Sequence, residues 1–305
     1  MSTFKNILKS IRKILISIPS INTLVYYLCL DRAKKNNFNV SKLVMNDNKL
    51  EYSTLFNEPI LHLNKVCHII CSGHSFNASV QHLDKDDFII GFNFAGIIKL
   101  NYSIYFIELA SNCNKKIKNI SDCQYRVVQE SLNSKSKLIF KNIYSEAVPQ
   151  SKYLSKYKNF NVLFARDYQI PILSKALLHK SVSSLLEEAN VSLLPQLRST
   201  IYTAIAYAYR QGFKEIVVHG LDFGGPHFFD AEDFAGSLEN RPSYDALPKI
   251  KMGDNHLTNI GEVSSIDILK EINRQLKAKG VTLYAAIENS KLSEYLPVYY
   301  SEAIK

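Results

Sequence analysis

Three features of this 305-residue sequence predict an α/β fold on a doubly wound, mostly parallel sheet, preceded by an N-terminal amphipathic helical segment. Short apolar runs alternate with helix-period segments, which is the pattern of strands joined by crossover helices. The runs are apolar throughout, as strands covered on both faces are. Several of them end in glycine or small polar residues, the chemistry of a tight turn.

The N-terminus comes first. Phe4, Ile7, Leu8, Ile11, Leu15 and Ile18 recur at helical spacing, with Lys5, Lys9, Arg12 and Lys13 beside them. An apolar stripe with a basic rim suits a helix lying in a membrane interface next to anionic lipid. The same stripe could instead dock on the protein's own core. Residues 14–30 are uncharged, but Ser17, Pro19, Ser20, Asn22 and Thr23 dilute them, and a spanning helix wants about twenty predominantly apolar residues. Residues 1–50 are therefore expected to be a membrane-associating segment and 51–305 a single domain. On this reading a chain starting near Asp31 should stay folded.

Within 51–305 the predicted strands are residues 65–71 (KVCHIIC), 87–94 (DFIIGFNF), 103–109 (SIYFIEL), 137–140 (KLIF), 161–164 (NVLF), 215–219 (EIVVH) and 281–287. Residues 197–211 and 265–279 carry apolar side chains at helical spacing, with Gly212 and Gly280 where a C-terminal cap belongs. In a parallel doubly wound sheet, ligands bind beyond the carboxyl ends of the strands. That rule selects Ser72–Ser75, Asn93, Glu108, Asp222–His227 and Asn289–Ser290 before any relative is considered.

Charge and motifs narrow the chemistry. Lys and Arg number 37 against 28 Asp and Glu, a net charge of +9, of which residues 1–40 hold +6. Residues 111–160 hold +7, either as a solvated face or as a field for an acidic acceptor. No RNP motif, zinc finger or helix-turn-helix accompanies the basic stretches, so nucleic acid is not the expected partner. Five cysteines in a long chain fit a reducing cytosol better than a disulfide scaffold. GxGxxG, GxxxxGK[ST] and an acidic metal motif at a strand end are all missing from the sequence. Cys67 and Cys71 lie about 13 Å apart if on one strand, too far to share one tetrahedral zinc.

Four segments carry a resemblance. HIICSGHSFNAS, LRSTIYTAIAYAYRQGFKEIVVHGLDFGG, DNHLTNIG with SSIDILKEIN, and VTLYAAIENSKLSEYLP stand in the order of corresponding segments of the bacterial lipooligosaccharide sialyltransferases. The sequence resembles that family over roughly residues 65–110 and 195–297, and is similar in plan to the related CMP-Kdo-dependent transferases. The resemblance implies a modified Rossmann-type, sialyltransferase-like fold, a CMP-activated donor, no cofactor or metal, and transfer to a surface glycan such as a capsule or lipopolysaccharide. It implies that Gly73 and Ser75 form the turn that approaches the nucleotide, with His74 between them, and that Asn93 contacts the donor. Ser199 and Thr200 match a Thr-Ser pair facing the donor's carboxylate and phosphate. Gly220 and Asp222 match a GxDF turn, and Asn289-Ser290 the final turn near the cytidine. The family's phosphate-holding tyrosines have no counterparts after Phe223, where His227 and Phe228 stand. Its catalytic histidine falls nearer Glu262 in one alignment, while His256 lies six residues earlier.

The chemistry such a donor needs can be written independently. A CMP-ulosonic acid carries its own leaving group, so the protein must hold the carboxylate, hydrogen-bond the phosphate and take a proton from the acceptor hydroxyl. Ser199 and Thr200, in a turn entering a helix, can offer donors at the positive helix end. His227 or His256 could serve the phosphate or act as base, with Glu262 as a further candidate, and Glu108 could orient an acceptor hydroxyl. Asp222 is either a structural carboxylate pinning its turn or the nucleophile of a retaining transferase. His219, ending an apolar run, is expected to be a core histidine. The expected function is transfer of a 3-deoxy-ulosonic acid, sialic acid or Kdo, at the cytoplasmic face of the membrane, with a CMP-sugar donor and a glycan or glycolipid acceptor as partners. The alternative is a non-catalytic nucleotide-sugar-binding subunit of an envelope polysaccharide assembly system.

Overall fold

The structure is a computed structural model, and it describes residues 19–48, 66–108, 115–141, 157, 159–164, 166–190, 193–254 and 262–301. Seven strands form one wholly parallel sheet: β1 (Val66–Ile70), β2 (Phe88–Phe92), β3 (Tyr102–Glu108), β4 (Lys137–Lys141), β5 (Asn161–Phe164), β8 (Glu215–His219) and β9 (Thr282–Ala285). Their order is β5-β4-β3-β2-β1-β8-β9. The chain winds outward from β1 to β5 and then returns to add β8 on the other side of β1. The switch point of the sheet is thus the β1–β8 boundary, where loops leave in opposite directions and open a crevice.

Each strand feeds both layers because side chains alternate across the sheet. Cys67, Ile69, Ile90, Phe92, Ile104, Phe106 and Ile139 face one core, shared with helices α4 (Leu178–Leu186), α5 (Thr200–Arg210) and α6 (Ser265–Ala278). Ile70, Ile89, Tyr105, Ile107, Leu138 and Phe140 face the other, covered by Val127 and Val128 of α3 (Lys115–Ser131) and by Phe228 and Phe229. Both faces being buried explains why the strands read as continuous apolar runs. The lysines at the start of α3 point away from this core: Lys115 and Lys116 are exposed, and Lys118 pairs with Asp122.

The predicted strands and the two predicted helices form within a few residues of the expected limits. α6 begins at a reciprocal cap in which Ser264 Oγ accepts from Asp267 N–H (3.0 Å) and Asp267 Oδ2 accepts from Ser264 N–H (3.0 Å), an arrangement that satisfies two otherwise orphaned donors. Three helices and two strands escaped the sequence reading. The one-turn helix α2 (Phe76–Ser79) follows the turn after β1, α3 lies in the stretch read mainly for its lysines, and α4 lies beyond it. Among the described residues, β6 (Arg166–Gln169) and β7 (Leu193–Gln196) pair only with each other, in parallel. Their polar ends and Pro195 hide the strand pattern.

The N-terminal segment needs a correction. Pro19–Asn48 is one 30-residue helix, α1, and Tyr26 (0% exposed) and Leu30 belong to the core cluster of α4, β6 and β7. Tyr26 Oη lies 2.8 Å from Ser184 Oγ and 3.1 Å from the Lys180 carbonyl. Lys34 reaches Glu188 at 2.6 Å, and Glu188 in turn accepts from Tyr168 Oη at 2.6 Å. A chain starting at Asp31 loses buried core, so residues 21–30 are part of the folded body. Residues 1–18, with the apolar stripe, lie outside the described residues. Among the described residues, no helix is long and apolar enough to cross a membrane.

Candidate active site

At the β1–β8 boundary the backbone ladder runs on past the ends of the strands. Cys71 N–H donates to His219 O (2.9 Å), Gly73 N–H to Gly220 O (2.7 Å) and Phe228 N–H to Ser72 O (2.9 Å). The turn after β1 is therefore clamped between the turn after β8 and residues 227–228. Gly73 is required by this closeness. A Cβ there would lie 2.5 Å from Asp222 Oδ2 and 2.6 Å from Gly220 O. Gly220 turns the chain with φ +62, a conformation that L side chains resist.

Asp222 is the hub of the clamp. Its carboxylate accepts from Ser75 N–H (2.9 Å), Ser75 Oγ (2.7 Å) and Ser290 Oγ (3.2 Å). His74 Nδ1 stands 3.3 Å from Oδ2 without hydrogen-bond alignment. One carboxylate thus ties the turns after β1, β8 and β9 together. Both of its oxygens are engaged and its side chain is almost wholly buried. Burial, aided by the Asp222 charge, holds the Cys71 thiol well above the usual thiol range.

Two cavities open on either side of this hub. The first, about 170 Å³, is lined by Ser72, Gly73, Asn93, Ser199, Gly220 and His227, together with Tyr202, Phe223 and Ser265. The second, about 440 Å³, is lined by His74, Gly224, Gly225, Asp254, Asn289 and Ser290, among others. Asp222 and Phe223 line both.

Backbone strain gathers in the same place. Among the described residues, three that are not glycine have positive φ: Asn93 (+54), Arg198 (+55) and Phe223 (+56). They follow the ends of β2, β7 and β8 and border the first cavity or its neighbour Ser199. Such conformations cost about 1–3 kcal/mol each and cluster where function demands a geometry. Asn93 is held by Tyr105 Oη donating to its carbonyl (2.8 Å), while its Oδ1 is buried with no hydrogen-bond partner among the described residues. Arg198 donates to the carbonyl of Val263. Ser199 caps α5 in an extended conformation, yet its hydroxyl makes no cap bond, which leaves it available to the cavity it lines. His227 Nδ1 sits 3.2 Å from Ser72 Oγ, and its ring stacks on Phe229 at 5.0 Å.

The remaining candidates fall elsewhere. Thr200 is buried as the first residue of α5 and lines neither cavity. Glu108 ends β3, and only its backbone is described. Glu262 is exposed and lines neither cavity. His256 lies outside the described residues. His219 is wholly buried; its Nδ1 meets Ser79 Oγ at 3.0 Å and its Nε2 meets His68 Nδ1 at 3.0 Å. Burial pushes its pKa well below the ordinary imidazole value, aided by the neighbouring His68 and His82. Sequence reading missed the place of Tyr202 and Ser265 at the cavity. The only local signal was the Leu-Arg-Ser-Thr turn itself.

No family model matches the chain, and no curated protein matches it. Among solved structures, the chain is similar to the sialyltransferase CstII from Campylobacter jejuni in complex with a substrate analogue, cytidine-5'-monophosphate, at 14% identity and TM-score 0.43, covering 77% of this chain and 85% of that one. It is also similar to the monofunctional α-2,3-sialyltransferase Cst-I from Campylobacter jejuni, at 12% identity and TM-score 0.45 over 82% and 85% of the two chains. For a mammalian sialyltransferase the identity is 10% and the TM-score 0.40, over 86% and 84%.

Proposed function

We propose that this protein is a glycosyltransferase that passes a 3-deoxy-ulosonic acid, sialic acid or Kdo, from its CMP-activated donor to a bacterial surface glycan. One observation carries the reading. Turns far apart in the chain and quoted for the resemblance, those at Gly73–Ser75, Asn93, Ser199, Gly220–Asp222 and Asn289–Ser290, line two adjoining cavities that share Asp222 and Phe223 at the switch point of a parallel sheet.

The geometry suits the division of labour that the chemistry needs. Ser72 and Gly73 of the turn after β1 line the first cavity, where their polar groups can meet a phosphate. The Ser199 hydroxyl, at the amino end of α5, and the orphaned Asn93 side chain offer polar contacts to an anionic donor. His227 reaches the same cavity and can hydrogen-bond the departing phosphate. The acceptor's proton then goes to a histidine: His256, in the polar DNHLTN segment, is our choice, with His227 next. Asp222 is read as a positioning residue. Its two oxygens already accept three hydrogen bonds, so an attack on an anomeric carbon would have to break that clamp. Direct displacement with inversion follows from this assignment. We further propose that the donor site works without metal and that the protein sits peripherally at the inner face of the cell membrane.

The test is CMP release on incubation with CMP-sialic acid and, separately, CMP-Kdo, each with and without EDTA. Release from one donor, unaffected by EDTA, is expected. Binding of CMP with no release from either donor would instead favour the non-catalytic subunit.

A further inference from the structure

Helix α1 has two apolar faces, and the core covers only one. Asn22, Tyr26 and Leu30, spaced one turn apart, are buried. On the opposite side Leu24, Tyr27 and Leu28 stand at i, i+3 and i+4, exposed by 60, 52 and 61%. Six large apolar side chains are strongly exposed among the described residues, and three of them share this single turn. Scattered exposed apolar residues need no explanation, but a contiguous group does.

The border of this group is cationic. Lys180 Nζ lies 5.6 Å from the centre of the Tyr27 ring. Helical spacing continues the same stripe into Asp31, Arg32 and Lys35, all exposed, with Lys35 paired to Asp31 at 2.7 Å. The preceding residues 1–18 add Lys5, Lys9, Arg12 and Lys13 and no carboxylate. Leucine and tyrosine flanked by basic side chains match what a bilayer interface with anionic headgroups rewards, and a tyrosine ring favours the headgroup level. A second copy docked on this face would bring like charge against like charge.

We propose that the outer face of α1, Leu24, Tyr27 and Leu28 bordered by Arg32, Lys35 and Lys180, is a docking surface for an anionic lipid bilayer. The inference rests on the peripheral-membrane reading above and adds its seat: a helix fixed to the catalytic body through Tyr26 and Leu30, and not the N-terminus alone.

The experiment uses the full chain and the double variant Leu24→Ser/Leu28→Ser, whose sites are exposed and leave the buried face intact. Both are sedimented with phosphatidylcholine vesicles, with and without phosphatidylglycerol. The wild-type protein should sediment with the anionic vesicles in a salt-sensitive way. The double variant should partition on the order of ten-fold less or weaker still, with unchanged melting temperature. Arg32→Glu should weaken sedimentation chiefly at low salt. A wild-type protein that stays in solution overturns the proposal. So does a double variant that sediments normally, which would place binding in residues 1–18, and so does loss of a dimer in the double variant by light scattering. CMP release from the same samples without vesicles reports on the transferase reading separately.

Discussion

Gly73→Ala tests the clamp at the centre of the site. The added methyl would lie 2.5 Å from Asp222 Oδ2, 2.6 Å from Gly220 O and 3.0 Å from Asp222 Cγ. Neither obstacle is the free end of a flexible side chain. The Gly220 carbonyl is held by Gly73 N–H itself at 2.7 Å, and the carboxylate by Ser75 and Ser290. Overpacking of this kind costs about 1–3 kcal/mol. Displacing the carboxylate adds about 1.5–3 kcal/mol for each charge-assisted hydrogen bond lost, so about 2.5–6 kcal/mol is expected if one such bond breaks. At roughly 2–4 °C per kcal/mol for a domain of this size, the melting temperature should fall by about 5–24 °C. Calorimetry should show CMP affinity falling as well, because the same turn lines the cavity. The double variant Gly73→Ala/Asp222→Ala should be less destabilised than the sum of its parts, since removing the carboxylate removes one of the two clashes. A Gly73→Ala protein with unchanged melting temperature and CMP affinity would refute the clamp.

Further expectations follow from the same geometry. Asp222→Asn should fold, because the Ser75 and Ser290 hydroxyls can rotate to meet an amide, and intact-protein mass spectrometry of the wild type with donor should show no sugar adduct; an adduct would restore the nucleophile. His256→Ala should lose on the order of 10²–10⁴ in kcat, and near-normal turnover would pass the role to His227. Burial lowers the pKa of both His68 and His219, so the unfolded chain binds more protons than the native one below the unfolded imidazole pKa. That stability is complete above about pH 6.5 and declines as the pH falls through it. Melting temperatures measured from pH 8 to 5 should show the decline, and His219→Gln should flatten it. The carboxylates held low, Glu188, Asp267 and Glu271, act only at more acid pH, which separates the two causes. Truncation to Asp31 should lower the melting temperature by removing Tyr26, where Leu24→Ser/Leu28→Ser should not.

Local chemistry was sufficient for much of this protein. An apolar run such as FIIGF or EIVVH can only be satisfied with both faces covered, so β2 and β8 were legible without neighbours. Ser264, Ser265 and Asp267 announce the start of α6 within four residues. The rule that parallel sheets bind ligands at their carboxyl edge then picked out Gly73, Asn93, Asp222 and Ser290. Long-range contact decided the rest. Ser75 meets Asp222 across 147 residues and Ser290 meets it across 68, and no local pattern encodes that meeting. It depends on β1 lying beside β8, which the chain achieves only by returning after β5. The same applies to Tyr26 against Ser184, 158 residues apart: sequence showed an apolar helix, and packing alone decided which face the core would take. Asp222 could be read either as nucleophile or as anchor for the same reason. A carboxylate's role is set by what occupies its lone pairs, and those partners come from two turns remote from its own.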